Sequence, residues 1–180
     1  MALMLRSFTV PTKDGRTATI REARASDARR YLTAVQSVIE EPVRTLVVTL
    51  EELWTEEKFV TQLVPWGHDG VRLVVELDGD IVGALHLYRG PMRANRHVSD
   101  FGIFLTEGAR GLGLGRAMLE VAEIWAEEMG VTRIELCVFA HNERAQRLYR
   151  SMGYQDEGYF KQAIRFPEGD IDEYRMAKLL

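Results

Sequence analysis

Apolar and polar positions recur at different spacings along the chain, and these spacings predict its elements. Runs rich in β-branched residues in "FTVPTKDGRTATIREA" and "VRLVVELDGDIVGALHLYRG" predict two pairs of strands, joined at Asp14-Gly15 and Asp78-Gly79. Apolar residues at helical spacing predict a helix over "ASDARRYLTAVQSVIEE", with Ser26 or Asp27 as its N-cap, and another from about Leu114 to Met129. The pattern therefore predicts a protein that combines strands with helices.

The remaining segments complete this order. Pro42 interrupts the first helix, and "LEELWTEEKFVTQLV" predicts a second one that ends near residues 65–67. "HVSDFGIFL" and "VTRIELCVF" predict further strands, "NERAQRLYRSM" predicts a helix closed by Gly153, and two last strands follow. The resulting order, ββ-α-α-βββ-α-β-α-ββ, is typical of a layered α/β domain with a mixed sheet.

Length and composition narrow the class of protein. The 180 residues suit one domain with a full core, so we expect a single domain over residues 1–180 with an N-terminal hairpin at about 6–23. A formal net charge of −4, without dense lysine or arginine runs, argues against nucleic acid as the main partner. No apolar run is long enough to span a membrane, and the first residues lack the features of a signal peptide. We therefore expect a cytoplasmic protein.

The sequence gives little indication of a disulfide, a reactive cysteine or a metal site. The single cysteine, Cys137, excludes an intrachain disulfide. Because it stands in the apolar run "IELCVF", a buried and inert thiol is expected rather than a nucleophile. No His, Cys and Asp residues have the spacing of a metal site, so we predict no metal.

A glycine-rich loop between a strand and a helix is the first candidate site. In "LTEGARGLGLGRAMLE" the glycines 111, 113 and 115 alternate, and Arg110 and Arg116 flank them. Backbone N–H groups and the positive end of the helix dipole point the same way at such a junction. Glycine lets the backbone approach a ligand closely, and the arginines add charge-assisted hydrogen bonds. The loop therefore predicts a phosphate site, although a loop that merely turns the chain remains an alternative.

Two common phosphate loops fit these residues badly. A P-loop requires a lysine followed by serine or threonine, and both are missing here. A dinucleotide fold requires glycine where Arg116 stands, although Glu135 follows at a suitable distance.

A second motif lies further along, in "FAHNERAQRLYRSMGY". Asn142, Ala145, Tyr149 and Gly153 fall close to one helical stripe. An N-cap asparagine followed by a core tyrosine accounts for each residue taken singly.

Together the two motifs resemble the GNAT superfamily of N-acetyltransferases. The stretch from Arg110 to Gly115 resembles the family's Gln/Arg-x-x-Gly-x-Gly/Ala acyl-CoA loop. The stretch from Asn142 to Tyr154 resembles its Asn-x-x-Ala-x-x-Leu-Tyr-x-x-x-Gly-Phe/Tyr segment, and the elements between them are those of the family. The resemblance implies an acyl-CoA-binding core at about residues 98–155. It also implies a central mixed, mostly antiparallel sheet, flanked by helices and splayed between the family's strands 4 and 5.

The resemblance further implies acetyl-CoA as the cosubstrate. The pyrophosphate would lie on the loop amides, and the pantetheine arm would pair with the strand before the loop. The corresponding positions in this sequence are Ile103, Phe104, Leu105, Arg110, Gly111, Leu112, Gly113, Leu114, Gly115, Arg116, Asn142 and Ala145.

Acetyl transfer to an amine poses two proton problems. The amine must lose a proton before attack, and the departing thiolate must be stabilised or protonated. Tyr149 matches the family tyrosine that acts as general acid, because a phenol stays protonated near neutral pH. Asp100 and Glu135 are candidates for the base by position, and backbone N–H groups can polarise the carbonyl. His86 and His97 are further candidates for proton transfer, although lone histidines are more often structural.

The sequence indicates the identity of the acetyl acceptor less clearly. In the family it is bound by the first two helices, their connection and the C-terminal strands, where Glu40 and Glu41 suit a cationic amine and Arg44 a carboxylate. The C-terminal stretch resembles small bacterial enzymes that include amino-acid N-acetyltransferases, which favours a small amine. A peptide or protein N-terminus, a non-catalytic acyl-CoA sensor and a nucleotide-binding protein remain alternatives. A homodimer also stays open, and its interface candidates are Trp54, Trp66 and Phe166.

Overall fold

The structure is a computed structural model, and it describes residues 7–63 and 69–180. Its elements follow the predicted order. The strands are β1 (Phe8–Pro11), β2 (Thr17–Glu22), β3 (Gly70–Leu77), β4 (Asp80–Arg89), β5 (Val98–Leu105), β6 (Arg133–Phe139), β7 (Gln155–Phe166) and β8 (Gly169–Leu179). The helices are α1 (Ala28–Ile39), α2 (Glu56–Leu63), α3 (Leu114–Glu128) and α4 (Glu143–Ser151).

The chain divides into two compact units, and the first contains the N-terminal strands. It comprises the residues up to Tyr88 together with Gly102–Ala122. β1, β2, β3 and β4 pair in that order, each antiparallel to the next. The core of this unit lies between α1, α2 and the strands, where Tyr31, Phe59 and Val74 are buried. Asp78 and Gly79 both have positive φ, which is the conformation that the predicted two-residue hairpin turn requires.

The second unit comprises Arg89–Phe101 and Glu123–Leu180, so β5 contributes residues to both units. β5 pairs with β6 in parallel, β6 pairs with β8 antiparallel, and β8 pairs with β7 antiparallel. The parallel ladder ends at Asp100 and Glu135, in the strand pair for which splaying was predicted. The predicted fold class, an α/β arrangement with a mixed, mostly antiparallel sheet and flanking helices, is confirmed. The assignment of residues 1–180 to one domain stays a prediction.

The second helix is shorter than predicted. Residues Leu50–Glu52 form a separate 3-10 turn, and Leu53 follows in an extended conformation. The α-helix begins only at Glu56, where the Thr55 hydroxyl accepts a hydrogen bond from the Lys58 N–H at 3.2 Å. Thr55 thus acts as an N-cap that the apolar spacing did not reveal. The predicted end near residues 65–67 lies outside the described residues.

The expectation for Cys137 is wrong, because its thiol is exposed. Leu136 and Val138 are buried, and successive side chains of a strand point to opposite faces, so Cys137 lies on the face of β6 away from them. Partial desolvation, with the negative charge of Glu173 and Asp100, raises the pKa of the thiol. A raised pKa keeps the group protonated and unreactive near neutral pH.

The interface candidates have different surroundings. Phe166 is buried against Phe139, and Trp54 packs against the core of the first unit. Trp66 lies outside the described residues. In the part of the chain that the structure describes, no helix reaches the length and apolarity that a membrane crossing requires.

The close approach of β4 and β5 gives a testable stability difference. A Cβ at Gly83 would lie 2.7 Å from the backbone oxygen of Phe104 and 2.5 Å from the Leu105 side chain. We expect Gly83→Ala to lower the melting temperature by several degrees, since overpacking of this kind costs about 1–3 kcal/mol. The control is Gly108→Ala, where nothing lies within 4 Å of the added Cβ. Equal melting temperatures for the two variants would contradict this prediction.

Candidate active site

The glycine loop, residues Arg110–Arg116, forms the junction between β5 and α3 in the first unit. Gly111 and Gly113 have φ of 85° and 91°, values that side chains with a Cβ rarely adopt. The Lys13 N–H donates to the Leu112 oxygen at 3.1 Å, which attaches the loop to the N-terminal hairpin. The Ala117 N–H donates to the Gly113 oxygen at 3.2 Å, as the first helical turn requires. The N–H groups of residues 114–116 therefore belong to the first turn, where they are suited to an anion.

The side chain of Arg110 is engaged within the protein. Its Nη atoms donate to both carboxylate oxygens of Glu41 at 2.7 Å each, and its Nε donates to the Leu105 oxygen at 3.0 Å. Both side chains of this pair are largely buried. The pair links the segment after α1 to the glycine loop, across 69 positions of sequence. The Glu41 carboxylate is thus paired with Arg110. The exposed Glu40 carboxylate instead accepts a hydrogen bond from the Gln36 side chain.

Removal of the Glu41 charge is expected to destabilise the protein. Glu41→Gln leaves a largely buried guanidinium without its anion, and charged hydrogen bonds of this type contribute about 1.5–3 kcal/mol. We therefore expect the melting temperature to fall by roughly 5 °C. Glu40→Gln, the same change at the neighbouring exposed position, is the control and is expected to stay near the wild-type value. A fall of equal size in both variants would show that the Arg110 pair contributes nothing specific.

The strand before the loop provides three predicted binding positions. Ile103, Phe104 and Leu105 are half-buried. Phe104 packs edge-on against Tyr31, with ring centroids 5.8 Å apart. The following Thr106 N–H donates to the Val82 oxygen at 2.9 Å, which holds the end of the strand against β4.

The two candidate bases lie side by side in the second unit, but their surroundings differ. Asp100 and Glu135 are partners in the parallel ladder. Burial, with the neighbouring charge of Glu135, raises the pKa of Asp100 to about 6. Glu135 instead accepts from Arg133 Nε at 3.0 Å and from Arg175. A carboxylate with a pKa of about 6 can hold and release a proton close to neutral pH.

Tyr149 lies in the core of the second unit and is 6% exposed. Its ring packs edge-on against Phe101, with centroids 5.8 Å apart, and also contacts Tyr154. Desolvation raises the pKa of its phenol well above the usual value, so the hydroxyl stays protonated. The Asn142 side chain caps α4 by accepting from the Ala145 N–H at 3.2 Å. The alternative account of this motif, an N-cap and a core tyrosine, is thus correct as a local description.

The sequence analysis missed one residue that anchors α4. Gln146 is buried, and its Nε2 donates to the backbone oxygens of Phe139 at 3.1 Å and Ala140 at 2.9 Å. These bonds attach the helix of Tyr149 to the end of β6. A glutamine on the buried stripe of a polar helix was the only available signal for this role.

The two histidines named as further candidates for proton transfer lie in different surroundings. Burial, with the positive charge of Arg72, lowers the pKa of His86 to about 4, so its ring is neutral near neutral pH. His97 is exposed, and its backbone oxygen accepts from the Thr132 N–H. Within residues 7–63 and 69–180, no three His, Cys, Asp or Glu side chains are grouped to hold a metal ion.

Comparisons with known proteins agree on one family. A sequence profile of the Acetyltransferase (GNAT) family matches residues 35–154. The L-amino acid N-acetyltransferase AaaT of Escherichia coli (strain K12) is 36% identical over 110 residues, which cover 60% of this chain and 67% of that protein.

Solved structures extend the likeness to the fold. An acetyltransferase of the GNAT family from Streptococcus pneumoniae superposes with a TM-score of 0.81 at 28% identity, covering 91% of this chain and 99% of that one. A ribosomal-protein-alanine N-acetyltransferase from Brucella melitensis superposes with a TM-score of 0.78 at 29% identity, covering 89% and 99%.

Proposed function

The chain belongs to the GNAT acetyltransferase family, and we propose that it transfers the acetyl group of acetyl-CoA to the primary amine of a free amino acid or similar small molecule. The observation that carries the proposal is the Asp100 carboxylate at the end of the β5–β6 ladder, opposite Glu135, where burial and that neighbouring charge raise its pKa to about 6. The similarity to an L-amino acid N-acetyltransferase supports the choice of acceptor. Acyl-CoA-dependent N-acetyl transfer itself follows from the family.

The glycine loop has the features of a pyrophosphate site. Gly111 and Gly113 adopt positive φ in the turn that leads into α3, and the N–H groups in the first turn of a helix favour an anion. We assign the pyrophosphate to these amides and the pantetheine arm to the residues Ile103, Phe104 and Leu105. The Arg110 side chain holds Glu41, so in this proposal Arg110 contributes to the site through its backbone and by fixing the loop.

Asp100 is the proposed base and Tyr149 the proposed acid. The Asp100 carboxylate accepts a proton from the acceptor ammonium, directly or through water, which frees the nitrogen lone pair. The thioester supplies the acetyl group, so a C–N bond forms as the C–S bond breaks. The Tyr149 phenol then gives its proton to the departing thiolate and regains one from solvent. Glu135 is held by two arginines, which favours Asp100 for the base.

Thiol release from acetyl-CoA tests the function directly. The purified protein is incubated with amino acids, polyamines, aminoglycosides and short peptides with free N-termini. We expect release with amino acids or closely similar amines. Release with peptides alone would favour the protein N-terminal reaction, for which the likeness to a ribosomal-protein-alanine N-acetyltransferase is the supporting observation.

Thermal stabilisation by ligands distinguishes two further alternatives, an acyl-CoA sensor and a nucleotide-binding protein. If none of the tested amines causes thiol release, but CoA raises the melting temperature strongly, a non-catalytic acyl-CoA sensor would be favoured. Stabilisation by NAD or ATP but not by CoA would favour a nucleotide-binding protein. A cytoplasmic location and a homodimer stay predictions, and sedimentation of the purified protein tests the second.

A further inference from the structure

The turn between β1 and β2 brings a lysine to the glycine loop. The Lys13 N–H donates to the Leu112 oxygen at 3.1 Å, which places the Lys13 backbone beside the loop. Its side chain passes Gly113, since the Cγ and Cε atoms lie 3.9 and 4.0 Å from the point where a Cβ of Gly113 would stand. The ammonium nitrogen is one further bond, about 1.5 Å, beyond Cε. Lys13 therefore lies beside the residue that precedes α3, and both residues belong to the first unit.

Hydrogen bonds within the turn hold the backbone of Lys13 in this position. Thr12 is buried, and its N–H donates to the Arg16 oxygen at 2.9 Å. The Gly15 N–H donates to the Thr12 oxygen at 3.1 Å, and Gly15 has a φ of 88°. The Asp14 carboxylate accepts from the Thr12 hydroxyl at 2.5 Å and from Arg16 Nε at 2.9 Å. The residues on both sides of Lys13 are thus fixed by the fold of the turn itself.

The positive charge of Lys13 has no partner within the part of the chain that the structure describes. The other cation of this turn, Arg16, pairs with Asp14 at 2.6 Å and with Asp78 of the β3–β4 turn at 2.7 Å. Lys13 is exposed, and its side chain makes no hydrogen bond or ion pair with any described residue. Its ammonium group thus keeps three N–H donors for a ligand or for water.

The glycine loop beside Lys13 is the place where the proposed function puts an anion. Its first-turn amides carry the partial positive charge of the helix dipole, which is smaller than a full charge. Arg110, the arginine at the start of the loop, directs both Nη atoms to the Glu41 carboxylate at 2.7 Å. Because Glu41 neutralises this guanidinium, a pyrophosphate on the amides gains little from it. Lys13 places a full positive charge beside the same amides.

We propose that the Lys13 ammonium pairs with the pyrophosphate of acetyl-CoA, which makes the β1–β2 turn part of the cosubstrate site. The inference rests on the proposed function, which assigns the pyrophosphate to the first-turn amides of α3, and deepens it. Lysine binds phosphate as a compact charge with three donors. Because hydrogen bonds fix the turn, only the Lys13 side chain has to be ordered on binding. The contact with Gly113 favours the pyrophosphate over the 3′-phosphate, since Gly113 directly precedes these amides.

The test measures the affinity for two ligands, CoA and 3′-dephospho-CoA, by calorimetric titration. Lys13→Met removes the charge and keeps a long, unbranched side chain. We expect this variant to bind both ligands about 10-fold more weakly, since both contain the pyrophosphate and one charged hydrogen bond has an effect of that size. Lys13→Arg keeps the charge and should retain most of the affinity. The affinity of Lys13→Met should also depend less on salt concentration than that of the wild-type protein, because an exposed ion pair is screened by salt.

Lys161→Met is the matched control, because it removes an exposed lysine of the second unit and changes the net charge equally. This variant should bind both ligands as the wild-type protein does. Unchanged affinities in Lys13→Met, or an equal loss in Lys161→Met, would overturn the role of Lys13. A loss for CoA alone would overturn the assignment to the pyrophosphate, because the contact would then be with the 3′-phosphate.

The measurements separate this inference from the proposed function. Amine-dependent thiol release, together with unchanged affinities in Lys13→Met, would overturn this inference alone. CoA binding that depends on Lys13, without thiol release for any amine, would overturn the proposed function and leave this inference intact.

Discussion

Tyr149→Phe is expected to lower kcat by about 100-fold or more while the affinity for acetyl-CoA stays nearly unchanged. The phenol is the proposed proton donor to the thiolate, and positioned acids of this kind contribute typically 10²- to 10⁴-fold. The ring packs against Phe101 in the core, and phenylalanine keeps that packing. Turnover is measured by thiol release at saturating acetyl-CoA, and the affinity by calorimetric titration.

Tyr154, whose ring contacts that of Tyr149, provides a matched control. Tyr154 is also buried, and its hydroxyl has no hydrogen-bond partner among the described residues. Removal of such a group relieves a desolvation cost, so Tyr154→Phe should keep its turnover and match or exceed the wild-type stability. If Tyr149→Phe retained full turnover, Tyr149 would not be the acid. If both variants lost turnover equally, the loss would come from general disturbance of this core.

Asp100→Asn is expected to lower kcat/KM by about 100-fold and to abolish its dependence on pH near 6. The carboxylate must be ionised to accept a proton, and its pKa is about 6. In the wild-type protein the rate should therefore fall as the pH drops through 6, whereas an amide has no such ionisation. The measurement is a pH profile of kcat/KM from 5 to 9 for both proteins. A wild-type profile that stays flat down to pH 5 would exclude Asp100 as the base.

The stability of the same variant should change in the opposite direction. The folded state raises the pKa of Asp100 above its ordinary value of 3.8, so the folded protein binds the proton more tightly than the unfolded chain. Ionisation of this group therefore costs stability as the pH rises from about 4 to 6 and above. Asp100→Asn removes that cost, and its melting temperature at pH 8 should exceed that of the wild-type protein.

Glu135→Gln provides the contrast. It removes the anion that accepts from Arg133 and Arg175, so we expect a lower melting temperature. A higher melting temperature for Asp100→Asn and a lower one for Glu135→Gln would indicate that Glu135 stabilises the fold, whereas the ionised Asp100 carboxylate does not. A large loss of turnover in Glu135→Gln, with Asp100→Asn fully active, would reverse the assignment of the base.

Local features were readable from the sequence because they depend on a few adjacent residues. The turn at Asp78-Gly79 and the positive φ of Gly111 and Gly113 follow from which residues tolerate a left-handed backbone. Asn142 was a predicted cap because its side chain reaches the N–H three residues later. The order of elements followed from apolar spacing in the same way. These predictions concern interactions within one turn or one element.

The failures and omissions concern contacts between distant segments. The Arg110–Glu41 pair, the rings around Arg72, and the burial and neighbouring Glu135 that raise the pKa of Asp100 each involve parts of the chain far apart in sequence. The exposure of Cys137 depends on what covers each face of β6, which an apolar run does not specify. By itself the sequence determined the elements and the position of the two motifs, since backbone preferences act locally. Only the tertiary structure decided which charged side chains are paired and which are buried, because the ionisation of a side chain depends on the groups that packing brings beside it.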